Sequence, residues 1–61
     1  MITKQDLEKI YENTTITKVS EWAYENFGVK LDTSILSKQK NGKIKVSDAY
    51  QIVYKIFLKE N

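Results

Sequence analysis

The chain contains neither cysteine nor histidine, and over only 61 residues that absence sets the terms on which it can fold. A domain of this size buries only about 60% of the surface its unfolded chain exposes, so its core is small. The usual rescues of the smallest folds, a disulfide framework or a Cys/His zinc site, are excluded by composition. Side-chain packing has to hold the fold, alone or with a partner's help. The same absence removes the thiol nucleophile, the imidazole base and every triad built on either. No enzymatic activity, cofactor or bound metal is therefore expected.

No apolar run approaches the roughly 20 residues of a membrane span, and Met1 to Asp6 lacks the basic start and apolar stretch of a signal peptide. A cytoplasmic protein is expected, with neither a membrane nor a small molecule as its partner. The formal net charge is only +2, but it is unevenly spread. From Met1 to Val29, Lys4, Lys9 and Lys18 are outnumbered by Asp6, Glu8, Glu12, Glu21 and Glu25. From Lys30 to Lys45 the lysines at 30, 38, 40, 43 and 45 face Asp32 alone. The middle of the chain is basic, as a solvated loop or as a contact for an anionic partner.

With no proline and no repeat, the two glycines, Gly28 and Gly42, punctuate the apolar periodicity. The spacing predicts a single all-α domain over 1–61 built from four helices. The first runs from about Lys4 to Glu12, capped by Thr3, with Leu7, Ile10 and Tyr11 on one face. The second, about Thr17 to Asn26, turns Val19, Trp22, Ala23 and Phe27 inward and ends at Gly28. Asp32 caps a third from Thr33 to about Lys40, closed by Asn41-Gly42, with Ile35, Leu36 and Gln39 inward. The last runs from about Asp48 to Lys59 behind Ser47, with Ala49, Ile52, Val53, Ile56 and Phe57 as its core stripe. A short strand over Lys43 to Val46 is the alternative for the stretch before it.

Two helices joined through Gly28, the second opening on small hydroxyl residues and ending in lysines, suit a helix-turn-helix reader of the major groove. Thr33, Ser34 and Ser37 are small enough to let a helix backbone approach base edges and can donate to or accept from them. Lys38, Lys40, Lys43 and Lys45 would neutralise phosphates, which supplies affinity but no sequence information. A solvated helix face is the plainer account of the serines. Tyr50, Tyr54 and Leu58, at i, i+4 and i+8, lie beside the expected core stripe of the last helix. They form either a partner surface or a cover for the first helix.

Gly28-Val29, DTSILSKQKNG from Asp32 to Gly42, KIKVS from Lys43 to Ser47 and the amphipathic helix from Asp48 follow one another in a characteristic order. In that order the chain resembles the lambda-repressor-like (Cro/CI-type) helix-turn-helix family of phage regulators, over about Ile16 to Leu58. Its turn, FGVKL from Phe27 to Leu31, is similar to those of some repressors from phages of Gram-positive hosts and is expected to be extended. The resemblance implies a small four-helix DNA-binding domain in a phage or mobile-element switch. Its site would comprise Thr33, Ser34, Ser37, Lys38, Lys40, Asn41, Lys43 and Lys45, with Leu36 as the buried anchor. The expected partner is a double-stranded DNA operator, read by a homodimer because one short helix covers few base pairs. The alternative is an antirepressor that keeps this shape but docks on a CI-type repressor. It draws on the low net charge, the acids of the first two helices and the complete absence of arginine, the usual reader of guanine. A stand-alone structural or inhibitor module is the third reading.

Overall fold

The computed structural model describes residues 1–60 and is all-α, with four helices and no strand among the described residues. Asn61, the last residue of the expected domain, lies outside the described residues. The helices are α1 (Lys4–Asn13), α2 (Ile16–Phe27), α3 (Thr33–Lys40) and α4 (Asp48–Glu60). None is long and apolar enough to cross a membrane.

Short polar side chains start the first three helices. Thr3 Oγ1 accepts from Asp6 N at 3.1 Å while Thr3 N donates to Asp6 Oδ2 at 2.9 Å, a reciprocal capping box. The bonds from Thr3, its backbone donor first, hold the Asp6 carboxyl below its ordinary 3.8. Thr15 caps α2 by accepting from Lys18 N, so that helix opens at Ile16, slightly before the expected Thr17. Asp32 Oδ1 accepts from Ser34 N at 2.8 Å and opens α3 at the expected residue. At the head of α4 the Ser47 carbonyl accepts from Gln51 N.

The two glycines stop helices by adopting left-handed backbone. Gly28 (φ 67°) returns its N–H to the Tyr24 carbonyl at 2.8 Å. Gly42 (φ 74°) donates to the Gln39 carbonyl while Lys43 N reaches back to the Lys38 carbonyl at 2.8 Å. This paired pattern satisfies the last carbonyls of α3, and its left-handed residue would strain any side chain bearing a Cβ. Lys43 to Val46 is turn and irregular chain, so the strand alternative is discarded. Once Gly42 has bent the backbone, no neighbouring strand among the described residues is present to pair with it.

The core gathers Ile2, Leu7, Ile10, Val19, Ala23, Leu31, Leu36 and Tyr54. Val19, Ala23 and Leu36 are completely enclosed; burying a side chain the size of Val19 or Leu36 contributes about 1.5–3 kcal/mol. Phe27, expected inward, is 44% exposed, because it stands on the last turn of α2 and meets the core only through an edge contact with Trp22. Trp22 is half-buried and makes a second edge contact with Phe57 of α4, centroids 5.0 Å apart.

The larger correction concerns the orientation of α4. Tyr54, expected to belong to a partner surface with Tyr50 and Leu58, is 1% exposed and central to the core. Tyr50 and Leu58 are half-buried and pack against it. Of the expected core stripe, Ile52 is 60% exposed and Ala49 is open to solvent. The cause is polar as well as apolar, since only the tyrosine face brings hydroxyls to groups that need them. Tyr54 donates to Gln39 Oε1 of α3 at 3.1 Å and lies 2.7 Å from the Tyr11 hydroxyl of α1. Tyr54 covers α1, the other reading of that stripe, and Leu58 shares a cleft with Lys9 and Asn13 of that helix, whereas Tyr50 meets the turn before α3.

Candidate nucleic-acid interface

The segment between α2 and α3, Gly28 to Asp32, is longer than the three or four residues common in helix-turn-helix pairs. It is ordered by three ties. Leu31 is buried at 6% exposure, its carbonyl accepts from Ser20 Oγ at 3.4 Å, and Asp32 N makes a long 3.5 Å contact with the Tyr50 hydroxyl. The extension is therefore held against both α2 and α4, which fixes where α3 begins.

Within α3, Leu36 and Gln39 are enclosed at 0% and 2% exposure, and Ile35 is half-buried beside them. At about 100° per residue, Ser34, Ser37, Lys38 and Asn41 fall together on the opposite side, with Thr33 at its edge; Asn41, the C-cap just beyond the helix, also lines a cleft with Lys40 and with Glu8, Tyr11 and Glu12 of α1. Thr33, Ser34, Lys38 and Asn41 are exposed and Ser37 is half-buried. The result is a narrow face of small hydroxyls and one amide, bordered by a lysine. Lys43 is exposed just past the end of α3, its N–H on the Lys38 carbonyl.

Two of the expected residues are turned elsewhere. Lys40 carries its ammonium over the Tyr11 ring, 5.5 Å from the centroid, so it leans across α1 rather than along the serine face. Lys45 lines a groove of about 460 Å³ with Met1, Lys4 and Ile44, on the side of the N-terminal segment. Lys40 parts from Lys38 because two residues turn about 200° around a helix, and Lys45 follows the left-handed turn at Gly42. Lys30, absent from the expected site, shares a cleft of about 380 Å³ with Ser20, Asp32 and Thr33 and so flanks the start of α3. Its membership of the basic run was the available signal; only the fold of the turn places it beside Thr33.

The Asp32 carboxylate already occupies the amide end of α3, through Ser34 N. An anion approaching this helix has to engage side chains rather than its first backbone amides. The exposed side of α2 has the opposite character: Glu21, Tyr24 and Glu25 line a cleft of about 410 Å³ with Ser20 and Lys30, and Tyr24 is 62% exposed. Among the described residues no group of three or more His, Cys, Asp or Glu comes together to hold a metal ion. Comparison with protein-family models, curated proteins and solved structures gave no match.

Proposed function

We propose that the chain is a DNA-binding transcription regulator of a phage or other mobile element, reading an operator half-site with α3. The observation that carries this reading is the one exposed face shared by Thr33, Ser34, Ser37, Lys38 and Asn41, on a helix anchored by Leu36 and Gln39. Small hydroxyls allow close approach to base edges, and Asn41 has the amide that pairs bidentately with adenine. Lys38 borders the face and Lys30 flanks its start, and with the exposed Lys43 they would supply the phosphate contacts. Lys40 and Lys45 take a secondary part, as outlying phosphate contacts.

A second reading is favoured by α2. Its exposed Glu21 and Glu25 repel phosphates, whereas Tyr24 beside them suits a protein surface. On that reading the chain is an antirepressor that docks on a CI-type repressor and blocks its DNA binding. A gel shift with the DNA flanking its own gene, run with and without any repressor encoded beside it, separates the two. A complex with DNA alone supports the first reading. Release of the repressor, with no complex of the chain's own, supports the second.

A further inference from the structure

The groove between the N-terminal segment and the chain that follows α3 has apolar walls, Ile2, Leu7, Ile44 and Val46, with Lys4 and Lys45 among them. Its volume of about 460 Å³ is within the range of ligand clefts. Ile2 and Leu7 are buried, whereas Ile44 is 41% exposed and both lysines are open to solvent. No carboxylate of the described residues lines it. Asp6 and Asp48, the acids next to these segments in sequence, stand outside it, and Asp6 is bonded back to Thr3 N.

Two sets of polar groups at this groove have no protein partner. Gln39, only 2% exposed, engages Tyr54 through its Oε1, and its Nε2 has no hydrogen-bond partner among the described residues. Every fully sealed side-chain nitrogen or oxygen among those residues does have one. The Nε2 therefore keeps an opening, and the groove is the cleft that Gln39 lines. Ile44 and Lys45, in irregular chain, neither donate nor accept a backbone hydrogen bond among the described residues. An enclosed donor and a stretch of free backbone both gain from a ligand that brings matching groups.

We propose that this groove docks an extended segment of a partner protein that carries both acidic and apolar side chains. The segment's backbone pairs with the free amides and carbonyls of Ile44 and Lys45, as in recognition by strand addition. One of its oxygens accepts from Gln39 Nε2, an apolar side chain covers Ile44, and a carboxylate meets Lys4 or Lys45. Two lysines with no lining acid select this sign of charge, since a basic segment would bring like charges together. The free backbone selects a peptide, because a simple anion needs the cations but not an edge to pair with.

The proposal does not rest on the DNA reading, and its test contains no DNA. Nitrogen-labelled protein would be titrated with short, terminally blocked peptides that alternate leucine with aspartate or glutamate, and followed by heteronuclear NMR. Saturable shifts are expected at the Gln39 side-chain amide and at the backbone amides of Ile44 and Lys45. The double variant Lys4→Glu with Lys45→Glu should weaken binding about tenfold or more with an unchanged circular dichroism spectrum, since both side chains are exposed. The same peptides with lysine in place of the acids should not bind. An acidic set that gives no saturable shift, shifts centred on Lys38 and Lys43 instead, a double variant that binds as well as wild type, or equal binding of the lysine peptides each overturns the proposal.

Discussion

The Tyr54 hydroxyl donates to Gln39 Oε1 across 3.1 Å, between two side chains that are almost wholly enclosed. With that proton committed, the 2.7 Å contact between Tyr54 and Tyr11 runs the other way, Tyr11 donating to Tyr54. The relay ties α1, α4 and α3 through one buried oxygen. Tyr54→Phe leaves Gln39 Oε1 and the Tyr11 hydroxyl short of a partner and should cost about 1–3 kcal/mol. Adding Gln39→Leu should cost less than the sum of the single changes, because the two share that bond. Urea denaturation of the four proteins measures both; strict additivity would mean that the bond contributes nothing.

The relay also sets a limit at alkaline pH. Burial is the chief reason the Tyr54 hydroxyl keeps its proton far above the ordinary 10.0, with the Tyr11 hydrogen bond and the neighbouring Tyr11 and Tyr50 charges adding to it. Burial raises Tyr11 as well, although its bond to Tyr54 works the other way. Unfolding releases both groups to ionise near 10.0, so above that pH the unfolded state binds fewer protons and stability falls as pH rises. Below it their contribution is complete. Denaturation at neutral pH and above pH 10.0 should show this loss, and Tyr54→Phe should reduce it. An equal alkaline loss in wild type and variant would place its origin elsewhere.

The orientation of α4 can be tested by truncation. Leu36→Ala, at an enclosed site, should cost about 2–5 kcal/mol and Tyr54→Ala about 3–5, by analogy with other large core side chains. Phe57→Ala should fall below both, since Phe57 is half-buried at the edge of the core, where it meets Trp22. Ile52→Ala should stay within about 0.5 kcal/mol under dilute conditions, as ordinary surface changes do. Equilibrium denaturation at low protein concentration ranks the four. An Ile52→Ala cost as large as that of Tyr54→Ala would turn the helix back to the other face.

How much of this was legible in the sequence depended on whether the deciding contacts were local. Helix α3 is bounded by Asp32, which caps it, and by Asn41-Gly42, which stops it, and both signals act within a few residues. Its inner residues Leu36 and Gln39 follow from those ends. Helix α4 is apolar over more than half its circumference, so periodicity admits two stripes and the choice between them lies in Tyr11 and Gln39, distant along the chain. The burial of Leu31 was likewise invisible, because a turn residue carries no period. In the candidate site, Ser34, Ser37, Lys38 and Asn41 were grouped by helical spacing, and all but the half-buried Ser37 are exposed. Lys40 and Lys45 were grouped with them by proximity in sequence, which the pitch of α3 undoes at Lys40 and the left-handed turn at Gly42 undoes at Lys45.

The central claim is that the outer face of α3 meets DNA, and a salt series tests it most directly. Fluorescence anisotropy would follow binding to the duplex flanking the gene, with circular dichroism confirming that every variant is folded. Affinity should fall steeply with salt, and Lys38→Ala and Lys43→Ala should each flatten the log–log slope by about one unit. Lys40→Ala, whose ammonium is drawn over Tyr11, should change it less. Ser34→Ala should keep the slope but relax preference at one base pair, at the low end of about 1–3 kcal/mol for a direct contact. A folded wild type that binds no duplex at low salt, or a slope untouched by Lys38→Ala and Lys43→Ala together, would contradict the account.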